Sequence, residues 1–254
     1  MSVKAWRKIA LDIINDFDQN VMPLFGDARA GETVGISPSG DETKVVDKVA
    51  ENVVVSKFKA LGVNIVSEEM GVIEQGSEYT VLIDPLDGSY NFISGIPFFA
   101  LSVAIFKGEE PVYAFIYEPV VKKLYEGIPG QGAYLNGQRI KVRKLGEKPS
   151  ISFYTRGKGI ELLNHVKRTR TLGAIALELA YLARGALDGV VDIRNYLRPT
   201  DIAAGVIIAK EAGALVKDSN GDEIEVSFSA TDKVNLVAVN DEELLKMVLS
   251  LIEK

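Results

Sequence analysis

The stretch that most constrains this chain runs from Tyr79 to Phe92. Tyr79 to Leu82 is a short apolar run, broken soon after by Asp84-Pro85-Leu86-Asp87-Gly88-Ser89. A run of this kind reads as a buried strand delivering a tight polar turn. The proline fixes the backbone between two carboxylates, and the glycine lets another group approach closely. Two carboxylates three residues apart can both face one divalent cation. An acidic surface turn is the plain alternative, because Asp-Pro and Asp-Gly are common turn dipeptides.

What surrounds that stretch narrows the chemistry. The chain has no cysteine, which excludes disulfides, thiolate metal sites and a cysteine nucleophile. Its one histidine, His165, lies in a polar stretch with no nucleophile-elbow sequence elsewhere, so a serine–histidine triad is not expected. A net charge of −6 leaves no global basic surface for nucleic acid, and local arginines and metal ions must attract any anionic substrate. With 254 residues, 47% of them hydrophobic, the chain suits one large domain or two small ones sharing a core. Met1 to Asn20 carries Lys4, Arg7, Lys8, Asp12 and Asp16 among its apolar residues, which is neither a signal-peptide core nor a membrane span. A soluble protein of the cytoplasm, without membrane or nucleic-acid partners, is the expectation.

Apolar residues at Trp6, Ile9, Ala10, Ile13, Phe17 and Val21 predict one buried helix face. Gly26 to Gly40 reads as a long mobile connection, and a second helix is expected from Thr43 to Leu61. Asp47 and Glu51 share a face of that helix, either as two solvated acids beside Lys44 and Lys48 or as a functional pair, and Asp41 could cap it. Val63 to Val66 is a short strand ending in Ser67-Glu68-Glu69, a solvated acidic pair on its own evidence. Were it a neighbour of the strand before Asp84, the acids would meet in one crevice. Segments at Ala100–Phe106, Val112–Tyr117, Lys123–Gly127 and Gly132–Leu135 form an antiparallel meander, with a two-residue hairpin signal at Asn136-Gly137.

A seam near Gly146 to Ser150 divides the chain into an N-terminal half, 1–148, and a C-terminal half, 149–254. The second half opens with a strand at Ile151–Tyr154 and a helix at Gly159–Val166. Arg168 to Gly173 precedes an apolar helix, Ala174 to Arg184, and backbone N–H groups at such a start can bind an anion; a solvated arginine edge is the alternative. A strand at Leu187–Ile193 follows. Asp201 then opens a helix, Ile202 to Ala212, where its simplest role is a cap. Strands near Ala214–Lys217 and Asn235–Val239 and a helix from Asp241 to Lys254 close the chain.

Together, Glu68-Glu69, Asp84-Pro85-Leu86-Asp87-Gly88-Ser89 and Pro199-Thr200-Asp201 resemble the signature set of the inositol monophosphatase family of lithium-sensitive, metal-dependent sugar phosphatases. Order and spacing agree over nearly the whole chain. The resemblance implies an α/β layered sandwich of αβαβα type and a homodimer. It implies that Glu68, Asp84, the Leu86 carbonyl, Asp87 and Asp201 would ligate Mg²⁺, with Asp47 near a looser ion. Two or three ions per site are expected, with Mn²⁺ as a substitute. By the same resemblance Asp47, Ser89 and Glu68 would be catalytic, and Gly88 and Ser89 would offer N–H groups to the phosphate. The chemistry is consistent: hard Mg²⁺ prefers carboxylate and carbonyl oxygen, and direct water attack needs no covalent nucleophile.

One departure bears on the substrate. Where animal members carry a glutamate for inositol hydroxyls, seven residues before the late aspartate, this chain has Arg194. Arg170, Arg156, Arg198, Lys158 and Tyr154 add donors that could hold a second phosphate, and the Gly173-Ala174-Ile175 helix start would join them. The second half is similar to the archaeal-type dual-activity branch, which implies hydrolysis of fructose 1,6-bisphosphate at the 1-phosphate and of inositol 1-phosphate. Alternatives are an adenosine 3′,5′-bisphosphate 3′-phosphatase and a non-catalytic metal-binding regulator.

Overall fold

The three-four spacing of apolar residues at the N-terminus does form a helix. In the computed structural model, which describes residues 1–252, α1 spans Val3–Asn20 and buries Trp6, Ala10, Ile13 and Phe17. Ser2 caps it, its hydroxyl accepting the Ala5 N–H at 3.3 Å. Gly26 to Gly40, expected to be an open connection, is structured. A 3-10 turn at Ala28–Gly31 leads into strand β1 (Thr33–Ile36), which pairs antiparallel with β2 (Glu42–Lys44). All of β1 is exposed, so backbone hydrogen bonds hold this arm and no hydrophobic pattern announced it. Because β2 takes Thr43, helix α2 runs Val45–Ala60, and Asp41 lies outside it rather than capping it.

β3 (Asn64–Ser67), β4 (Gly71–Ile73), β5 (Tyr79–Asp87), the short helix α3 (Ser89–Ile93), β6 (Ala100–Lys107), β7 (Glu110–Glu118), β8 (Lys123–Ile128), β9 (Gly132–Leu135) and β10 (Gln138–Ile140) follow. The strands form one sheet, ordered β10-β9-β8-β7-β6-β5-β3-β4, with β6 to β10 as the expected meander. Asn136 and Gly137 both have positive φ, as a two-residue hairpin with primed geometry requires. β3 and β5 are parallel neighbours, so the two acidic strand ends lie side by side. Against β6, Asp84 faces Ser102 and Asp87 faces Ala100, so β5 bulges between them. A bulge is where a strand admits Pro85, and it re-aims the side chains around it.

In the second half, β11 (Ser150–Tyr154), β12 (Arg168–Arg170), α4 (Ile175–Ala183), β13 (Gly189–Leu197), α5 (Pro199–Glu211), β14 (Leu215–Lys217), β15 (Val234–Val239) and α6 (Glu242–Ile252) build a sheet ordered β12-β11-β13-β15-β14. The helix expected at Gly159–Val166 is only a 3-10 turn, Ile160–Asn164, too short to sustain α-helical nucleation. β13 outruns its expected end at Ile193. Asp192 pairs with Leu236 and Leu197 with Val234, leaving Arg194, Asn195 and Tyr196 bulged out of the ladder.

Alternation along β5 explains the layering. Val81 and Ile83 join the core beneath α1 and α2, whereas Leu82 joins one shared with α4 and α5. Those two helices also pack on Val190 and Leu236 of the second sheet, whose far face, Val191 and Val237, is covered by α6. The layers are thus helix, sheet, helix, sheet, helix. The middle layer is tight: a Cβ on Gly205 of α5 would lie 2.5 Å from Leu179 Cδ1 of α4.

Candidate active site

Parallel pairing of β3 and β5 brings Glu68 beside Asp84, and the start of α5 adds Asp201. One oxygen from each lies within 4.8 Å of the other two. Burial pushes the Glu68 carboxyl up to about 8, with Arg198 opposing the shift and Asp201 adding to it. Burial also holds Asp84 well above the usual carboxylate range, and the neighbouring Glu68 carboxyl reinforces it. Glu68 and Asp84 so placed ionise together only with a cation beside them. Hard carboxylate oxygens at this spacing fit a divalent cation of the Mg²⁺ type. Asp201 is not the N-cap of α5 but sits two residues inside the helix, its Oδ2 accepting the Arg198 N–H at 2.9 Å. Asp84 closes its own turn, with Oδ1 accepting the Leu86 N–H at 3.0 Å.

Asp87 is engaged differently. Its Oδ1 accepts the Ile175 N–H at 3.0 Å, and its Oδ2 accepts those of Ala176 and Leu177 at 2.8 and 3.2 Å. The anion bound at the start of α4 in this structure is therefore the protein's own carboxylate, an outcome that the local sequence around Gly173 could not reveal. Three of about four lone-pair positions are used, and one remains for a cation. Gly88 has a φ of +85°, and a Cβ there would meet Ala174 Cβ at 3.0 Å and the Gly173 and Phe98 carbonyl oxygens at 3.1 Å. Glycine is required at Gly88 on both counts.

Asp47 and Glu51 are buried, which overturns the reading of two solvated acids. Glu51 accepts the Ser67 hydroxyl at 2.8 Å. Asp47 accepts the Lys44 N–H at 2.8 Å; burial raises its pKa, against the opposing pull of that amide and of the Ser89 hydroxyl. Asp47, Glu68, Glu69, Leu86 and Ser89 enclose a cavity of about 20 Å³ beside the three-acid cluster. Burial pushes Glu69 up to about 7, while the Thr43 hydroxyl donates to it.

A larger cleft of about 320 Å³ joins Glu68, Asp84, Leu86, Asp87, Gly88, Ser89 and Asp201 to Tyr154, Gly173, Ile175 and Arg194. Arg194 rests over the Tyr154 ring at 4.4 Å and is held by buried Asp192, with Nε at 3.0 Å and Nη2 at 2.5 Å. The Tyr154 hydroxyl donates to Glu178 at 2.6 Å and accepts the Gly173 N–H at 2.7 Å, so its proton is committed to the protein. Ala174, Arg156 and Arg170 do not line the cleft. Arg156 is exposed, and Arg170 is half-buried on the edge strand β12.

The model of the inositol monophosphatase family matches residues 3–254. The chain belongs to that family. It is 68% identical over 254 residues, all of both chains, to a fructose-1,6-bisphosphatase of Pyrococcus furiosus. It is 56% identical over 245 residues, 96% of each chain, to a fructose-1,6-bisphosphatase/inositol-1-monophosphatase of Thermococcus kodakarensis. A solved structure from Pyrococcus horikoshii, a hypothetical protein described as similar to inositol-1 monophosphatase, superposes with a TM-score of 0.96 at 72% identity over the whole of both chains.

The family's enzymes are metal-dependent phosphatases, and the acidic cluster is the feature here that could hold a metal. Among the cleft residues that escaped sequence reasoning are Tyr90 at the rim and Tyr196 beside Arg194. Neither has a local signal, since one is simply the second residue of α3 and the other depends on the bulge in β13. Among the described residues no helix is long and apolar enough to cross a membrane.

Proposed function

We propose that this member of the inositol monophosphatase family uses Mg²⁺ to hydrolyse fructose 1,6-bisphosphate at its 1-phosphate and inositol 1-phosphate. The observation that carries the reading is the convergence of Glu68, Asp84 and Asp201 within 4.8 Å, in one cleft with the Arg194 guanidinium. Names borne by relatives at 68% and 56% identity support the substrate choice. When bound there, a divalent cation lowers the pKa of water and draws charge from the phosphoryl oxygens.

The chain's own residues do the rest. Glu68, Asp84 and Asp201 hold the metal, with the Leu86 carbonyl and the remaining lone pair of Asp87 as further donors and Asp47 beside a looser ion. Asp47 and Ser89 orient the attacking water, and Asp47 takes its proton; a carboxyl raised by burial is the stronger base. The water oxygen bonds to phosphorus as the ester bond breaks, and the sugar oxygen leaves taking a proton from solvent water, to which Asp47 returns its own. Gly88 and Ser89 amides donate to the phosphoryl oxygens. Arg194 spends Nε–H and one Nη2 proton on Asp192, leaving the rest of its fork for a second phosphate. Arg170 and Arg156 attract that phosphate from outside the cleft, while Tyr154, Gly173, Ala174 and Ile175 position the wall around it.

A homodimer in the cytoplasm completes the proposal, and light scattering tests the dimer. The decisive assay is phosphate release with Mg²⁺ from fructose 1,6-bisphosphate, inositol 1-phosphate and adenosine 3′,5′-bisphosphate. Release from the first two, abolished by a chelator and restored by Mg²⁺, is expected. Preference for the nucleotide, or release indifferent to the chelator, would overturn the reading.

A further inference from the structure

Behind the cleft wall, the first turn of α4 carries a further carboxylate, Glu178, which is fully buried and does not line the cleft. Its donors are neutral: Oε1 accepts the Tyr154 hydroxyl at 2.6 Å and the Leu172 N–H at 2.9 Å, and Oε2 is buried without a partner. Burial pushes this carboxyl up, against the pull of the neighbouring hydroxyls and amides. A buried carboxylate held only by neutral donors costs stability rather than adding to it. The gain has to lie in what Glu178 holds.

It holds Tyr154, whose hydroxyl also accepts the Gly173 N–H at 2.7 Å and whose ring lies 4.4 Å beneath the Arg194 guanidinium. Arg194 thus has two supports, the Asp192 carboxylate at one edge of its fork and the Tyr154 ring against its face. The turn before α4 has anchors of its own. Asn91 Nδ2 donates to the Leu172 carbonyl at 2.7 Å, and Asp87 takes the Ile175, Ala176 and Leu177 amides. Loss of Glu178 therefore leaves the Asp87 side of the site in place and removes the acceptor of the Tyr154 proton. We infer that Glu178 is a positioning residue that fixes the Tyr154 ring and through it the Arg194 fork, and so sets the preference for a substrate with a second phosphate over one without. This rests on the reading of Arg194 as the partner of that phosphate. A guanidinium recognises a phosphate through a planar fork, so a support that fixes its plane acts on affinity for that group and not on the chemistry at the other phosphate.

The test is steady-state kinetics with Mg²⁺ on fructose 1,6-bisphosphate and inositol 1-phosphate. Glu178→Leu, similar in size but unable to accept a hydrogen bond, should raise KM for the bisphosphate about fivefold, the scale of one cation–π contact or hydrogen bond. Its kcat on the bisphosphate and both constants on inositol 1-phosphate should stay within about twofold. Glu178→Gln, whose amide oxygen accepts the same two donors, should return KM to within about twofold of the unaltered protein. Tyr154→Phe keeps the ring and loses the hydroxyl, and it should raise the ratio of the two KM values as Glu178→Leu does. The double variant should be no worse than either single one, because both cut the same path. Where Glu178→Leu does not fold, Tyr154→Phe decides the matter. Equal KM increases for the two substrates, multiplied effects in the double variant, or a Glu178→Gln as impaired as Glu178→Leu would overturn the positioning role and leave the reading of Arg194 standing. If Arg194→Ala itself affects both substrates alike, that reading falls and the positioning role falls with it.

Discussion

Helices α2 and α5 begin alike. Each starts after a basic residue, Lys44 or Arg198, and carries an aspartate three positions later, Asp47 or Asp201, that accepts the basic residue's backbone N–H at 2.8 or 2.9 Å. Their surroundings differ. α2 belongs to the outer layer, and Lys44 turns outward to Glu42 and to the Thr33 hydroxyl at 2.9 Å on the arm. α5 is buried from Pro199 to Ala209 between two sheets, so Arg198 turns inward onto Glu68 and Asp201. One local capping device therefore has two uses, and what packs opposite the helix start decides which.

The comparison breaks most visibly at the aspartates. Asp201→Asn should cut turnover by about a thousandfold or more and abolish calorimetric Mg²⁺ binding. Asp47→Asn should cut turnover by at least about a hundredfold while the three-acid cluster still binds Mg²⁺. Near-normal turnover of Asp201→Asn in saturating Mg²⁺ would show that the two starts do not differ as argued. Arg194 is a third cation, paired with one acid as Lys44 is yet facing the cleft. Arg194→Ala should raise KM for fructose 1,6-bisphosphate about tenfold or more and leave that for inositol 1-phosphate within about twofold. Equal effects on both substrates would assign Arg194 to the fold alone.

Packing gives the next contrast. Gly205→Ala should destabilise by about 1–3 kcal/mol in denaturant unfolding, because the new methyl meets Leu179, whereas Asn52→Ala on the exposed face of α2 should stay within about 0.5 kcal/mol. The acids of the cluster add a pH dependence. Glu68, raised from 4.5 to about 8, and Glu69, raised to about 7, bind more protons in the folded than in the unfolded protein across that range. Metal-free protein should therefore lose a few degrees of melting temperature as pH rises from about 5 to about 8. Mg²⁺ should restore them, and a flat metal-free profile would contradict the burial argument. The smallest effect belongs to Lys44→Ala, where solvent screens the pair with exposed Glu42 and the melting temperature should stay within measurement error of the unaltered protein.

Much of the fold was legible because its signals are local. Trp6, Ala10, Ile13 and Phe17 share a helix face at any tertiary position, and Asn136-Gly137 makes a hairpin turn from its own dihedral preferences. The arm is illegible because β1 buries nothing, and Gly159–Val166 reads as a helix yet forms only a 3-10 turn, because apolar spacing over so few residues carries no information about helix length. At the site, Glu68, Asp84 and Asp201 were legible as motifs. The engagement of Asp87 with α4, the commitment of the Tyr154 proton to Glu178 and the pairing of Arg194 with Asp192 were not.

Sequence by itself determined the acidic motif after β5, its proline and glycine, and the family to which the chain belongs. These depend on dihedral preference and short-range hydrogen bonding. Tertiary structure alone decided that parallel pairing of β3 with β5 would carry Glu68 to Asp84, and that α5 would bring Asp201 to meet them. It also decided that Arg198, not Lys44, would lie among them. The reason is electrostatic: carboxylates far apart in the chain perturb one another, and need a cation, only when packing removes the water between them.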